Sequence, residues 1–328
     1  SALIVPVAYI AMPKSPQASE TISLVVFFAA FSGLLMSAFM KVMFFSKNFE
    51  MANDAISKLE SLFDEMDKNK LAHGDVSDMT SHDIDFSGVT FRYEEGADVL
   101  TDFSLKLESG KKYALVGSSG SGKSTIAKLI SGFYPVSSGE LKIGGVDISK
   151  YKRETLEHEI AFVFQNAKLF KTSIYENVKI GRPDASREEV IKALDLAMCG
   201  SILDKFETRE DTIIGAKGVH LSGGETQRIA IARAILKDAP IIILDEASAA
   251  SDPENEYEMQ QAFSKLMEGK TVIMIAHRLS SIRNVDEILV VEDGKVTERG
   301  SHDELIAKDS KYKKLQNLYN QANEWRLS

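Results

Sequence analysis

Residues 21–40, TISLVVFFAAFSGLLMSAFM, carry no charged side chain. Twenty helical residues at ~1.5 Å rise each match the ~30 Å hydrocarbon core of a bilayer. The run therefore predicts a membrane-spanning α-helix, complete over residues 21–45. A signal peptide is excluded, because the run has no basic start and leads into Lys41 and Lys47 rather than a small-residue cleavage site. The remaining alternative, a buried helix of a soluble core, fits poorly with a run this long and this pure. Two lysines after the apolar stretch place its downstream end in the cytosol. Upstream, residues 2–12 are apolar but too short to span, and residues 13–16 (PKSP) read as a tight external turn. The chain is thus expected to begin within an earlier membrane helix, and its first residue, Ser1, fits a fragment or a processed chain. Residues 1–50 are assigned to a membrane domain: the end of one helix, a turn and one complete helix.

Beyond this region the pattern changes. Ala52, Ala55, Ile56, Leu59, Leu62, Phe63 and Met66 recur at helical spacing, with Asp54, Lys58, Glu60 and Asp64 between them. An amphipathic continuation of the helix is expected, followed by a polar linker over residues 67–83, so that 51–82 form a helical extension and linker. From residue 84 onward, strand and helix patterns alternate as in an α/β domain, assigned to residues 83–328. The 39 Lys and Arg against 48 Asp and Glu leave a net charge of −9, which argues against a nucleic-acid-coating function. Cys199 is the lone cysteine, so no internal disulfide staples the fold.

The chemistry concentrates downstream. Residues 113–116 (YALV) form a short apolar strand pattern that leads into Gly117, Ser118, Ser119, Gly120, Ser121, Gly122, Lys123, Ser124 and Thr125, with a helical pattern over 126–130. Strand, glycine-rich loop and helix in that order make a P-loop nucleotide site. Its glycines let backbone N–H groups turn inward around phosphates, Lys123 supplies a cation near the β and γ oxygens, and the Ser124 hydroxyl can ligate Mg²⁺. A flexible Ser/Gly linker would need neither the strand before nor the helix after. Residues 241–244 (IIIL) then fit a strand buried on both faces of a parallel sheet, ending in Asp245 and Glu246. Carboxylates at the carboxyl end of such a strand sit where α/β sheets bind ligands. Asp245 would hold Mg²⁺ through its shell, and Glu246 can take a proton from an attacking water.

Between these elements stands Leu221-Ser222-Gly223-Gly224-Glu225-Thr226-Gln227-Arg228, followed by a helical run over 229–236. It closely resembles the signature sequence of ATP-binding cassette (ABC) proteins. The family's other motifs follow in order: Gln165 after a strand over 161–164, a D-loop-like stretch over 248–252, His277 after a strand over 271–275, and Tyr93 upstream of the P-loop as the aromatic that stacks on adenine. With a membrane helix fused in front, the chain resembles the C-terminal part of an exporter-fold ABC half-transporter. The implied fold is an α/β P-loop ABC nucleotide-binding domain preceded by the last transmembrane helix of an exporter-type membrane domain. The stretch over 245–256 is also similar to a subgroup associated with siderophore uptake.

The resemblance implies ATP and Mg²⁺ as cofactors. Ser222, Gly223 and Gly224 would contact the γ-phosphate of an ATP held by a partner subunit, so that a second half-transporter, identical or not, completes the site. Glu246 would be the base, Lys123 and His277 would neutralise phosphate charge, and Gln165 would reach Mg²⁺ or the lytic water. Ser124, Gln165 and Asp245 form the implied metal set. The further partners are the lipid membrane and a transported solute, with no nucleic acid, and the location is the cytoplasmic (inner) membrane with the ATP-binding domain in the cytosol. Each residue also has a plainer reading: Ser222 to Gly224 as an N-cap and turn, His277 as an ordinary histidine, Gln165 as a strand end, Tyr93 as core packing. Three departures stand out: Glu225 replaces the signature glutamine, Ser251 the usual leucine before the D-loop Asp252, and Ala216-Lys217 a Glu-Arg pair. A soluble ABC ATPase of DNA repair or translation is the alternative from another class, but it needs a long coiled-coil insertion or two cassettes in tandem. A weakly hydrolysing partner in a heterodimeric transporter is the other.

Overall fold

The computed structural model describes residues 16–68, 71–93, 96–215, 219–246, 253–276 and 282–327. It divides into two units, with the boundary between Asn69 and Lys70. The first holds a single described helix, α1 (Pro16–Lys68), of 53 residues, about 80 Å long at 1.5 Å per residue. The apolar run and its amphipathic continuation therefore share one uninterrupted rod. Within it Glu20–Asp64 is long and apolar enough to cross a membrane, with a peak mean hydropathy of 2.2 and none of that window buried. Phe27, Phe31, Leu34 and Phe39 all stand exposed along it, a strip of apolar surface too large for contact with water. Pro16 corrects one expectation. It opens α1 instead of closing a turn, as proline can in a first helical turn, where its missing N–H has no intrahelical partner anyway. Residues 13–15 lie outside the described part.

The second unit is built on two sheets. An antiparallel one has the order β2 (Leu100–Leu107), β1 (Ile84–Phe91), β4 (Ser138–Ile143), β5 (Val146–Asp147). The other has the order β10 (Lys295–Gly300), β9 (Glu287–Glu292), β3 (Lys112–Val116), β8 (Thr271–Ala276), β7 (Ile241–Glu246), β6 (Ile160–Val163). From β9 through β6 the neighbours run parallel, and only β10 is antiparallel to its neighbour. The uninterrupted apolar strands explain the parallel centre, because both of its faces are covered. Side chains alternate between those faces. Tyr113, Leu115, Ile241, Ile243, Ile273 and Ile275 pack with β1, β2 and helix α2 (Lys123–Ile130). Ala114, Val116, Ile242, Leu244, Val272 and Met274 pack into a second core with α4 (Ile174–Lys179), α5 (Arg187–Leu196), α7 (Gly223–Lys237) and α8 (Pro253–Leu266). The remaining described α-helices are α3 (Arg153–Glu159), α6 (Gly200–Leu203), α9 (His302–Ala307) and α10 (Lys311–Leu327).

The expected linker is largely a pinned strap. Leu71 is buried, Gly74 N–H donates to the Tyr151 carbonyl at 3.1 Å, and Val76 N–H donates to that of Lys150 at 3.0 Å. Thr155 Oγ1 donates to the Ser77 carbonyl at 3.1 Å. Polar composition alone reads as a linker and gives no sign of these bonds, because the partners of this backbone lie more than seventy positions away in sequence.

Cys199 sits fully buried in the second core, and burial pushes its thiol up to about 12. Because the thiolate is the reactive form, iodoacetamide is expected to leave the native protein unlabelled and to modify Cys199 only in denaturant. Labelling of the native chain at the denatured rate would contradict this burial.

Candidate functional site

Because β3, β8, β7 and β6 run parallel, their carboxyl ends meet at one edge of the sheet. That edge collects the end of β3 with the P-loop, Ala276 at the end of β8, Asp245 and Glu246 at the end of β7, and Gln165 just past β6. Such an edge is where α/β sheets bind ligands. His277 itself and residues 247–252 lie outside the described part, as do residues 216–218. Of Glu246 the structure describes the backbone, paired with Ala276.

The loop after β3 is wound by its glycines. Gly117 has φ +144°, and a Cβ built on it would come 2.1 Å from the carbonyl oxygen of Val291 on β9. Ser118, Ser119 and Gly120 are exposed at the mouth, whereas Ser121, Gly122, Lys123 and Thr125 are buried. Lys123 Nζ donates to the Gly117 carbonyl at 2.9 Å, the Ser118 carbonyl at 2.7 Å and Ser121 Oγ at 3.2 Å. Burial pulls the Lys123 ammonium below its ordinary value, and the negative charge of Asp245 opposes that shift. The two residues that sequence places 122 positions apart are thus within electrostatic reach. Ser124 lies in the first turn of α2 and is exposed.

Sequence reasoning missed what holds this loop from behind. The tight turn between β9 and β10 contributes Gly294, whose N–H donates to the Ser121 carbonyl at 3.0 Å. Gly294 has φ +71°, and a Cβ there would stand 2.2 Å from the Val99 carbonyl oxygen. No sequence motif marks the contact; only the Asp293-Gly294 turn signal was readable.

Tyr93 lies in the loop past β1, half-buried, its ring packed edge-on against Phe91 at 4.8 Å and Tyr134 at 5.3 Å. Its hydroxyl bonds with Thr125 Oγ1 at 3.1 Å, which brings the ring to the P-loop helix, and Lys128 Nζ stands 5.5 Å from the ring centre. Packing and proximity to the nucleotide loop therefore coexist at this residue.

Ser222 caps α7. Its Oγ accepts from Glu225 N at 3.3 Å, and Glu225 Oε2 accepts from Ser222 N at 2.6 Å, closing a capping box. Ser222 and Gly223 are exposed and Gly224 half-buried, so the turn presents the positive end of a 15-residue helix. Two further residues of α7 were not anticipated. Gln227 Nε2 donates to the Phe164 carbonyl at 3.2 Å, tying the signature helix to the strand end that carries Gln165. Buried Arg228 bonds the Met198 carbonyl at 3.1 Å and Asn255 Oδ1 at 3.0 Å, and pairs with Glu258.

A parallel-sheet edge carrying a P-loop, an acidic strand end and a capped signature turn defines a nucleotide-binding domain of the ATP-binding cassette class. Residues 100–249 match the family described as ABC transporter. It is 47% identical over 237 residues to an ATP-dependent lipid A-core flippase of Pasteurella multocida (strain Pm70), covering 72% of this chain and 41% of the relative. To the putative multidrug export ATP-binding/permease protein YgaD of Bacillus subtilis (strain 168) it is 44% identical over 238 residues, again 72% and 41%. A bacterial Atm1-family ABC exporter solved with ATP bound superposes with a TM-score of 0.72 at 33% identity, over 81% of this chain and 47% of that one. The chain thus spans about 41% of the length of the curated relatives it matches.

Proposed function

We propose that this chain is the ATP-binding and ATP-hydrolysing part of an exporter-type transporter in the cytoplasmic membrane. In this reading residues 1–50 belong to its membrane domain, 51–82 join the two parts and 83–328 form the cassette in the cytosol. The observation that carries it is the gathering of the P-loop, Asp245, Glu246 and Gln165 at one carboxyl edge, on a chain that also holds an exposed helix long enough to span a bilayer. A soluble ATPase of DNA repair or translation has no use for that helix. The named relatives are a lipid flippase and a multidrug exporter, and neither name mentions a siderophore.

The P-loop amides and Lys123 bind the phosphates of ATP, and Tyr93 flanks the base. The donors present suit Mg²⁺: a hydroxyl from Ser124, a carboxylate from Asp245 and an amide from Gln165 would hold it. When bound it would supply positive charge to the phosphate oxygens. Lys123, already partly stripped of water, adds a second charge at the same place, so its attraction is stronger than that of a solvated lysine. Glu246 accepts a proton from the attacking water and His277 stabilises the γ-phosphate. Ser222, Gly223 and Gly224 close on the ATP of a second cassette, which makes hydrolysis a property of a dimer.

ATP hydrolysis by the whole chain in detergent tests this. Specific activity is expected to rise with protein concentration as cassettes pair, and to fall at least about 100-fold in Lys123→Ala, whose lost phosphate contacts are charge-assisted. Activity that survives Lys123→Ala, or that is independent of concentration, contradicts the proposal.

A further inference from the structure

At the signature turn, the family's neutral glutamine is replaced by Glu225, and the structure shows where its charge goes. Both carboxylate oxygens are occupied: Oε2 accepts from the Ser222 peptide at 2.6 Å, and Oε1 accepts from Lys205 Nζ at 2.5 Å. Glu225 is 9% exposed and Lys205 57% exposed, so a solvent-facing cation covers a buried anion. Lys205 comes from the turn after α6, fixed there by the Lys205 N–H to Ile202 carbonyl bond at 3.3 Å and the Phe206 N–H to Leu203 carbonyl bond at 3.1 Å. Burial alone would raise the Glu225 carboxyl, but Lys205 and the Ser222 peptide outweigh it and hold the group below its usual value.

A glutamine at this position would close the same capping box with no charge. Glutamate adds a full negative charge to the first turn of the helix whose Gly223 and Gly224 amides have no intrahelical acceptor and are offered to a phosphate. An uncompensated carboxylate there opposes an incoming polyanion. We propose that Lys205 is a positioning residue of the signature turn: its ammonium holds Glu225 in the capping box and cancels its charge, so that Ser222, Gly223 and Gly224 accept the γ-phosphate of a partner's ATP. This rests on the nucleotide-sandwich reading above.

The test is a double-mutant cycle on the whole chain in detergent, measuring kcat and the ATP concentration that gives half-maximal hydrolysis. Lys205→Met is expected to raise that concentration roughly threefold to tenfold with a smaller change in kcat, as for a single partly screened charge. The defect should shrink between low and high salt, since the repulsion is screened. Lys205→Arg is expected to keep the wild-type value. Adding Glu225→Gln to Lys205→Met is expected to restore ATP affinity, because it removes the charge that Lys205 had to cancel; a merely structural role for Lys205 predicts no rescue. The inference is overturned if Lys205→Met stays within twofold of wild type, or if the double variant is no better than Lys205→Met. If wild type hydrolyses ATP and one of these results follows, only the role of Lys205 falls. If wild type shows no hydrolysis that depends on Lys123, the proposed function falls and this inference falls with it.

Discussion

Gly117→Ala is expected to lose nucleotide binding and to melt about 10 °C lower, a cost of roughly 3–5 kcal/mol in a domain of this size. Two independent penalties produce it. The residue holds φ +144°, where L side chains are strained, and its Cβ would stand 2.1 Å from the Val291 carbonyl oxygen. Neither partner can move cheaply. Val290 and Val291 are buried, and Val116 is paired with Val290 in the sheet. Relief must come from the loop, whose carbonyls at 117 and 118 hold Lys123. Thermal melting with and without ATP separates the effects: the variant should melt low and gain nothing from ATP, whereas wild type should be raised by ligand. A variant that melts with wild type would contradict the close approach of the two backbones.

Glu246→Gln is expected to lower steady-state hydrolysis by about 10²–10⁴-fold while ATP still binds, the range for removing a general base. Glu246 ends β7 beside Ala276, next to Asp245 and at the same sheet edge as the P-loop. The amide keeps the shape of the side chain but cannot take a proton at neutral pH. Binding and chemistry should therefore part company: ATP should protect the variant from heat as well as it protects wild type, and dimers formed on ATP should persist because the nucleotide is not consumed. Unchanged turnover would show that the base assignment is wrong.

The readable parts of this molecule are those in which a local pattern serves a local purpose. The strands β3 and β7 could be placed because buried parallel strands are apolar throughout, and the P-loop because glycines, lysine and serine stand in a fixed order between strand and helix. At Ser222 the N-cap was legible from the turn chemistry. What escaped was contact between elements of the second unit that only the fold brings together. Glu225 reads in sequence as a harmless departure, yet its charge is met by Lys205 twenty positions earlier, in a turn that carries no signal of its own. Gln227 looks like one more polar helix residue, yet it grips the Phe164 carbonyl. The strap over 71–83 has the composition of a tether, and its backbone partners belong to residues that only the fold brings near.

The buttress behind the P-loop has a consequence for biosynthesis. Every residue proposed to contact phosphate has been made by His277, but the turn that donates Gly294 N–H to the Ser121 carbonyl comes later. At about 5–20 residues per second, roughly ten to thirty seconds separate translation of the phosphate loop from that of its support. A nascent chain thus carries all the recognised motifs before its nucleotide loop is braced, and the long apolar helix ahead of the cassette is already made by then. Ribosomes that stall between the histidine strand and the β9–β10 turn would release chains with a full set of motifs and an unsupported cradle, tethered at the bilayer yet unable to grip ATP.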